Sequence, residues 1–382
     1  MHKLPGHCVV RRATNQSDLV ISNQDPQGLS DSGIVVKMLS AAVCGTDLAI
    51  LSGARPDCAE VLGHEGVGMV VNAPECSGLL IGDRVIINPV HRKQPEIVVG
   101  HSRDGIFRDL FCMDSADAAQ GKFLVRCPSD CSLPNTELVL AEPLGSVLYS
   151  MELLREQCAT ASLLIRGSGT VGIMAAKLWA TMTGSFALLV SQSEKHAQWL
   201  RNSTSWPASV RICCSAQLHE ACSSVPAFKA AILCCSRESA PEGLGSLLDV
   251  VPEGATIDLM AGFPTQYWEV RLGGVSIDSI RWNNICGKSG APPTPVVDRS
   301  NGKTVYLIGH RGTAQRHILQ AIEILSGRII SLADIPHRLF TLEQLPGVVK
   351  AMLPPSDRHN TKWVKAIVDF SRKTSGEPSG YC

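Results

Sequence analysis

Gly167-Ser168-Gly169-Thr170-Val171-Gly172 stands between an apolar run, Leu163-Leu164-Ile165, and a stretch in which Val171, Met174, Ala175, Leu178 and Trp179 recur at helical spacing. A glycine turn between a buried strand and an amphipathic helix is the context in which G-x-G-x-x-G works as a dinucleotide loop. Gly167 makes the tight turn, Gly169 lets a pyrophosphate reach the backbone, and Gly172 lets the helix pack on the strand. Thr170 and Val171 open that helix, whose first N–H groups and dipole favour phosphate. Further apolar, strand-like runs at 186–190, 230–233, 256–260 and 304–308 alternate with helical patterns. Ser193 is placed to cap the helix that starts near Glu194. Alternating strands and helices predict an α/β fold with a doubly wound parallel sheet.

The first 145 residues read differently. Short β-branched runs at 33–38, 67–71 and 84–87 are bounded by glycine and proline, and Gly82-Asp83 makes a turn ahead of the last of them. An irregular β barrel is expected there. After 304–308, the residues Ile318, Ala321, Ile322 and Leu325 mark a helix that Gly327 ends. Residues 363–370 read as a strand, and the tail from Lys373 as frayed. A chain of 382 residues is long for one core, so two domains are expected.

Composition narrows the partners. The net charge is +0 without a long basic run, which leaves nucleic acid and anionic membranes without electrostatic support. No run approaches the roughly 18 apolar residues of a membrane span. The first sixteen residues lack the apolar stretch of a secretory signal, and the fifteen cysteines are odd in number, so free thiols and a cytoplasmic location are expected. Cys213-Cys214 and Cys234-Cys235 sit in apolar runs, as small hydrophobes do.

Two motifs carry the chemistry: Cys44-Gly45-Thr46-Asp47 and Gly63-His64-Glu65-Gly66-Val67-Gly68. A third acid, Glu142, follows in Ala141-Glu142-Pro143-Leu144. Thiolate, imidazole and carboxylate suit zinc, whose catalytic sites use three protein ligands and keep an open position. Metal ligands ahead of a nucleotide loop suggest hydride transfer between an alcohol and a carbonyl compound. At the end of the second sheet strand an acid would hold a ribose hydroxyl and repel a 2′-phosphate. Here Ser191 stands in that place, and Ser191, Ser193 and Lys195 together offer two hydroxyls and an ammonium, which favours NADP(H) over NAD(H). Glu194 is the acid that counts the other way.

Taken as a set, C-G-T-D, G-H-E-x-x-G, G-D-R-V, D-G-x-F, E-P and the glycine loop resemble the zinc-dependent medium-chain dehydrogenase/reductase family of alcohol, sorbitol and threonine dehydrogenases. The resemblance implies a GroES-like β-barrel catalytic domain at 1–147, a Rossmann domain at 148–308 and a return segment at 309–382. It implies Cys44, His64 and Glu142 as zinc ligands, with Glu65 approaching the same metal. It gives Thr46 the substrate's proton and turns Lys365 towards the cofactor pyrophosphate. Ala49 stands where relatives carry a histidine that extends the proton relay. No cysteine lies between Val85 and Asp104, so one catalytic zinc and no structural zinc are expected, with His91 and His101 as surface histidines. Arg55, Arg103 and Arg108 are read as solvated charges. The implied substrate is a polyol, sugar or cyclitol, oxidised to its ketone by a dimer or tetramer. A zinc-free reductase of quinones or activated alkenes, and a cofactor-binding protein without catalysis, are the alternatives.

Overall fold

In a computed structural model of the chain the described residues are 7–14, 17–24, 33–158, 161–225, 227–264, 267–288, 291–353 and 362–372. The tail from Lys373 lies outside them. The chain divides into two units, one of residues 1–140 with 337–382 and the other of residues 141–336. The resemblance sets these divisions at 147/148 and 308/309. Residues 309–336 fall with the second unit because helix Gln315–Ser326 packs along helix Ala141–Cys158.

The first unit is mostly antiparallel. Its main sheet runs His337–Phe340, Lys365–Asp369, Gly33–Ala42, Glu65–Asn72, Arg84–Ile87, Leu124–Arg126, with Leu110–Asp114 also paired to Gly33–Ala42. Gly33–Ala42 alternates inward residues such as Val36 and Met38, which join Phe107, Phe111, Phe123 and Val368 in one core. A register shift between Met38 and Ser40 marks a bulge in this strand. Beyond the bulge, Ala42 pairs with Glu65 on one side and with Ile367 on the other. The end of one strand therefore brings three distant segments together: Cys44 just beyond Ala42, Glu65 opposite it, and Lys365 two residues before Ile367.

The second unit is the doubly wound sheet that the alternation predicts. Its strands lie in the order Val210–Cys214, Ala187–Ser191, Leu163–Arg166, Ala230–Leu233, Thr256–Leu259, Thr304–Ile308, Thr294–Val297. The first six are parallel and the last is an antiparallel edge. This order places a switch point between Leu163–Arg166 and Ala230–Leu233, where α/β sheets bind ligands. Leu164, Val190, Leu233, Ile257 and Leu307 face a core shared with Phe228 and the helix Ala240–Val250. Trp179 is fully buried and donates its ring N–H to the Ala161 carbonyl at 3.1 Å. No disulfide forms among the described cysteines; burial pushes the Cys213 thiol up to about 12. No helix among the described residues is long and apolar enough to cross a membrane.

Candidate metal centre and nucleotide loop

Cys44 is the extended N-cap of helix Gly45–Leu51 (φ −98°, ψ 156°), and its own N–H donates to Asp47 Oδ2 at 2.8 Å. The other oxygen of Asp47 accepts from the Gly63 N–H at 3.1 Å and lies 3.4 Å from His64 Nδ1. Asp47 is fully buried, so one carboxylate ties the turn that presents Cys44 to the turn that presents His64. Glu65 begins the neighbouring strand directly after His64. The Cys44 sulfur, a His64 ring nitrogen and a Glu65 oxygen all lie within 4.8 Å of one another.

These residues fit a zinc ion. Ligand bonds of 2.0–2.3 Å in a tetrahedron set ligand atoms about 3.3–3.8 Å apart, within a small side-chain movement of the spacing here. His64 is 5% exposed, and its Nδ1 faces the Asp47 carboxylate, which holds the ring in place beside Cys44 and Glu65. Burial drives the His64 imidazole towards its neutral form, but the charges of Asp47 and Cys44 outweigh it and hold its pKa well above the usual value. The thiol, imidazole and carboxylate are the donor set of a catalytic rather than an all-cysteine structural site.

The remaining residues fall as follows. Thr46 is half-buried, with its hydroxyl oxygen 3.7 Å from the Cys44 sulfur. Glu142 lies in the first turn of helix Ala141–Cys158, in the other unit, and is 8% exposed. The ammonium of Lys365, expected at the cofactor pyrophosphate, donates to the Glu65 carboxylate, and both side chains are buried. His91 and His101, expected at the surface, are buried instead. His91 Nδ1 accepts the backbone N–H groups of Lys93 and Gln94, and its ring packs edge-on to Phe123. His101 packs edge-on to His64, with ring centroids 4.7 Å apart. Of the three arginines read as solvated charges, Arg55 and Arg108 are largely buried and paired with Asp57 and Asp104. Arg103 is the more exposed and pairs with Asp117.

In the second unit Gly167 has φ +129°, and a Cβ there would meet the Cys234–Cys235 backbone at 2.6–2.7 Å. A Cβ on Gly172 would run into the Gly167 carbonyl, so helix Thr170–Thr183 can close on the loop only with glycine at that position. No side chain caps this helix at Gly169. Ser191 is fully buried and its hydroxyl accepts from Ser168 at 3.1 Å. Ser193 caps its helix through the His196 N–H. Glu194 is held by Arg201 at 2.9 Å on the same helix, and Lys195 is exposed.

Residues 30–121 match the alcohol dehydrogenase GroES-like domain. The fold is similar to that of a provisionally named zinc-binding dehydrogenase from Sinorhizobium meliloti 1021, solved bound to NADP (TM-score 0.70, 16% identity, 96% of this chain and 100% of that one). Residues 30–121 thus carry the alcohol dehydrogenase GroES-like domain, and the chain has the fold of this dehydrogenase. Galactitol-1-phosphate dehydrogenase from Escherichia coli has the same fold (TM-score 0.66, 16% identity, 95% of this chain and 99% of that one). By sequence, the chain is 26% identical over 179 residues to L-threonine 3-dehydrogenase from Thermococcus kodakarensis, covering 42% of this chain and 48% of that protein. Its matched stretch spans about half the length of the curated relatives, 53% and 48% of the first two.

Two residues in the site escaped the sequence reading. Asp47 was in plain view as the last residue of C-G-T-D, at the third position of a short helix where an acid can reach back to the cap. His101 carried no local signal, because its place depends on a loop folding back over residues 59–63.

Proposed function

We propose that this chain is a zinc-dependent oxidoreductase that interconverts a secondary alcohol, of polyol, sugar or cyclitol type, and its ketone, with NADP(H) preferred over NAD(H). The observation that carries this reading is the grouping of Cys44, His64 and Glu65 within 4.8 Å, with His64 and Glu65 buried. Cys44, His64 and Glu65 would hold one zinc ion, and Glu142 is proposed as a further ligand on its E-P motif alone. No structural zinc is proposed, since the segment between Val85 and Asp104 has no cysteine. When bound, zinc supplies Lewis acidity to the reacting oxygen, and the nicotinamide gives or takes the hydride.

The protein's own residues do the rest. Asp47 fixes the cap of Cys44 and the backbone before His64, so two ligands share one rigid support. Lys365 balances the charge of Glu65 in a buried position. Thr46 takes the substrate's proton; its half-buried hydroxyl beside Cys44 suits that role, while Ala49 offers no group to carry the proton further. Gly167, Gly169, Thr170, Val171 and Gly172 form the pyrophosphate loop. Ser191, Ser193 and Lys195 read the ribose side, where the engagement of Glu194 with Arg201 supports a 2′-phosphate over a free hydroxyl. Small-molecule turnover by a cytoplasmic homo-oligomer completes the reading. The test is a panel of polyols and their ketones with both cofactors in both directions, combined with elemental analysis. Metal-independent turnover would contradict the reading.

A further inference from the structure

His101 reaches the metal group through backbone fit. Ala59 N donates to the His101 carbonyl at 2.8 Å, Gly105 N to Val61 at 2.7 Å and Ile106 N to Gly63 at 3.1 Å. A Cβ on Gly105 would overlap the Leu62 and Gly63 carbonyls, so the loop lies as close to the His64 turn as glycine allows. His101 is thereby pressed against the ring of His64, with the planes 77° apart. Arg55 Nη2 sits 3.4 Å from His101 Nδ1, and because a guanidinium only donates, that nitrogen accepts. The Nε of Arg55 donates to Asp57, and the Arg55 and Asp57 side chains are 18% and 16% exposed. Among the described residues, Arg55 Nη1 donates no hydrogen bond.

The result is a largely buried polar wall against one metal-group ligand, with its charges cancelled and one pair of N–H donors unspent. A carboxylate-bearing substrate gains little from an arginine already matched by Asp57. To a neutral polyol the same wall offers a donor at Arg55, an acceptor at Asp57 and the imidazole of His101. We infer that Arg55, positioned by Asp57 and His101, recognises a second hydroxyl of the substrate and selects vicinal polyols over monohydric alcohols. This inference rests on the dehydrogenase reading above and deepens it.

The test uses the zinc-loaded full chain with xylitol, 2-butanol and L-threonine as probes. Arg55→Met keeps the length of the side chain and removes its donors. It is expected to lower kcat/KM for xylitol by roughly ten- to hundredfold, the range for losing a charged hydrogen bond, mostly through KM. Turnover of 2-butanol, which has no second hydroxyl, is expected to fall several-fold less than that of xylitol, at unchanged zinc content. Arg55→Lys, which returns a donor at lower reach, is expected to recover part of the xylitol loss and serves if the methionine variant does not fold. Equal losses on xylitol and 2-butanol, or no loss on xylitol, would overturn the role of Arg55. Wild-type preference for L-threonine would overturn the substrate class. A wild-type enzyme that binds zinc yet turns over none of the probes would overturn the dehydrogenase reading itself.

Discussion

Lys365 and Glu65, 300 residues apart in sequence, form a buried ion pair, each side chain 3% exposed. The pairing follows from register, because Ala42 stands between Glu65 and Ile367 in the sheet. A carboxylate of the metal group is thus already neutralised by the protein. Lys365→Met would leave it buried without a cation, at a cost of about 3–5 kcal/mol, which a bound metal would offset. The metal-free variant should therefore melt well below wild type, with a larger zinc-induced rise in Tm. A zinc-induced rise equal to that of wild type would show that the two side chains do not share the site with metal.

Asp47 supports two ligand turns with one carboxylate, accepting from Cys44 N and Gly63 N. Removing a group that orients metal ligands typically lowers affinity about 10–100-fold. Asp47→Ala is expected to lose zinc to a chelator in that range, and Asp47→Asn, which keeps one oxygen acceptor, to lose less. Chelator competition followed by residual metal content measures both. Wild-type retention in the alanine variant would remove Asp47 from the account.

Asp258, fully buried in strand Thr256–Leu259 of the second unit, accepts from Ser150. Burial pushes its carboxyl up to about 7, only partly offset by the Ser150 hydrogen bond and by Arg281. The folded protein then keeps a proton that the unfolded chain, with an ordinary pKa of about 3.9, has released. Stability should fall as pH rises from about 4 to about 7, by at most about 4 kcal/mol. Asp258→Asn should flatten that slope in denaturant melts. A slope unchanged by the substitution would place its origin elsewhere.

The proposed preference for NADP(H) rests on the end of strand Ala187–Ser191. Glu194 is engaged by Arg201, and Lys195 is exposed beside it. NADPH should bind at least about tenfold tighter than NADH, and Lys195→Glu should reverse the order by placing like charge against a 2′-phosphate. Fluorescence titration with the two reduced cofactors decides it; tighter NADH binding in wild type would contradict the assignment.

Much of the sheet unit was legible because local patterns there report local structure. Leu163–Arg166, the glycine loop and helix Thr170–Thr183 follow one another in sequence, and the helix ends at Ser193 and Gly327 were marked by their own residue types. The grouping of Cys44, His64 and Glu65 was readable from motifs that sit at a strand end and a strand start. What stayed hidden depends on contacts between distant segments. The resemblance turns Lys365 towards the cofactor pyrophosphate, and only the antiparallel return of Lys365–Asp369 onto Gly33–Ala42 brings it to Glu65. His101 and Arg55 look like surface residues in glycine- and proline-rich loops. Their burial comes from the folding of that loop onto residues 59–63, which no local periodicity encodes. The boundary near residue 309 was obscured similarly, since the packing of helix Gln315–Ser326 is a tertiary fact.

The central claim is that Cys44, His64 and Glu65 converge on one metal ion. Elemental analysis of purified wild type, Cys44→Ser and His64→Ala, each checked for native fold by circular dichroism, tests it most directly. The account predicts about one zinc per chain in wild type and loss of that zinc in both folded variants. Zinc retained in full by both variants, or a folded wild type that takes up none at saturating zinc, would contradict it.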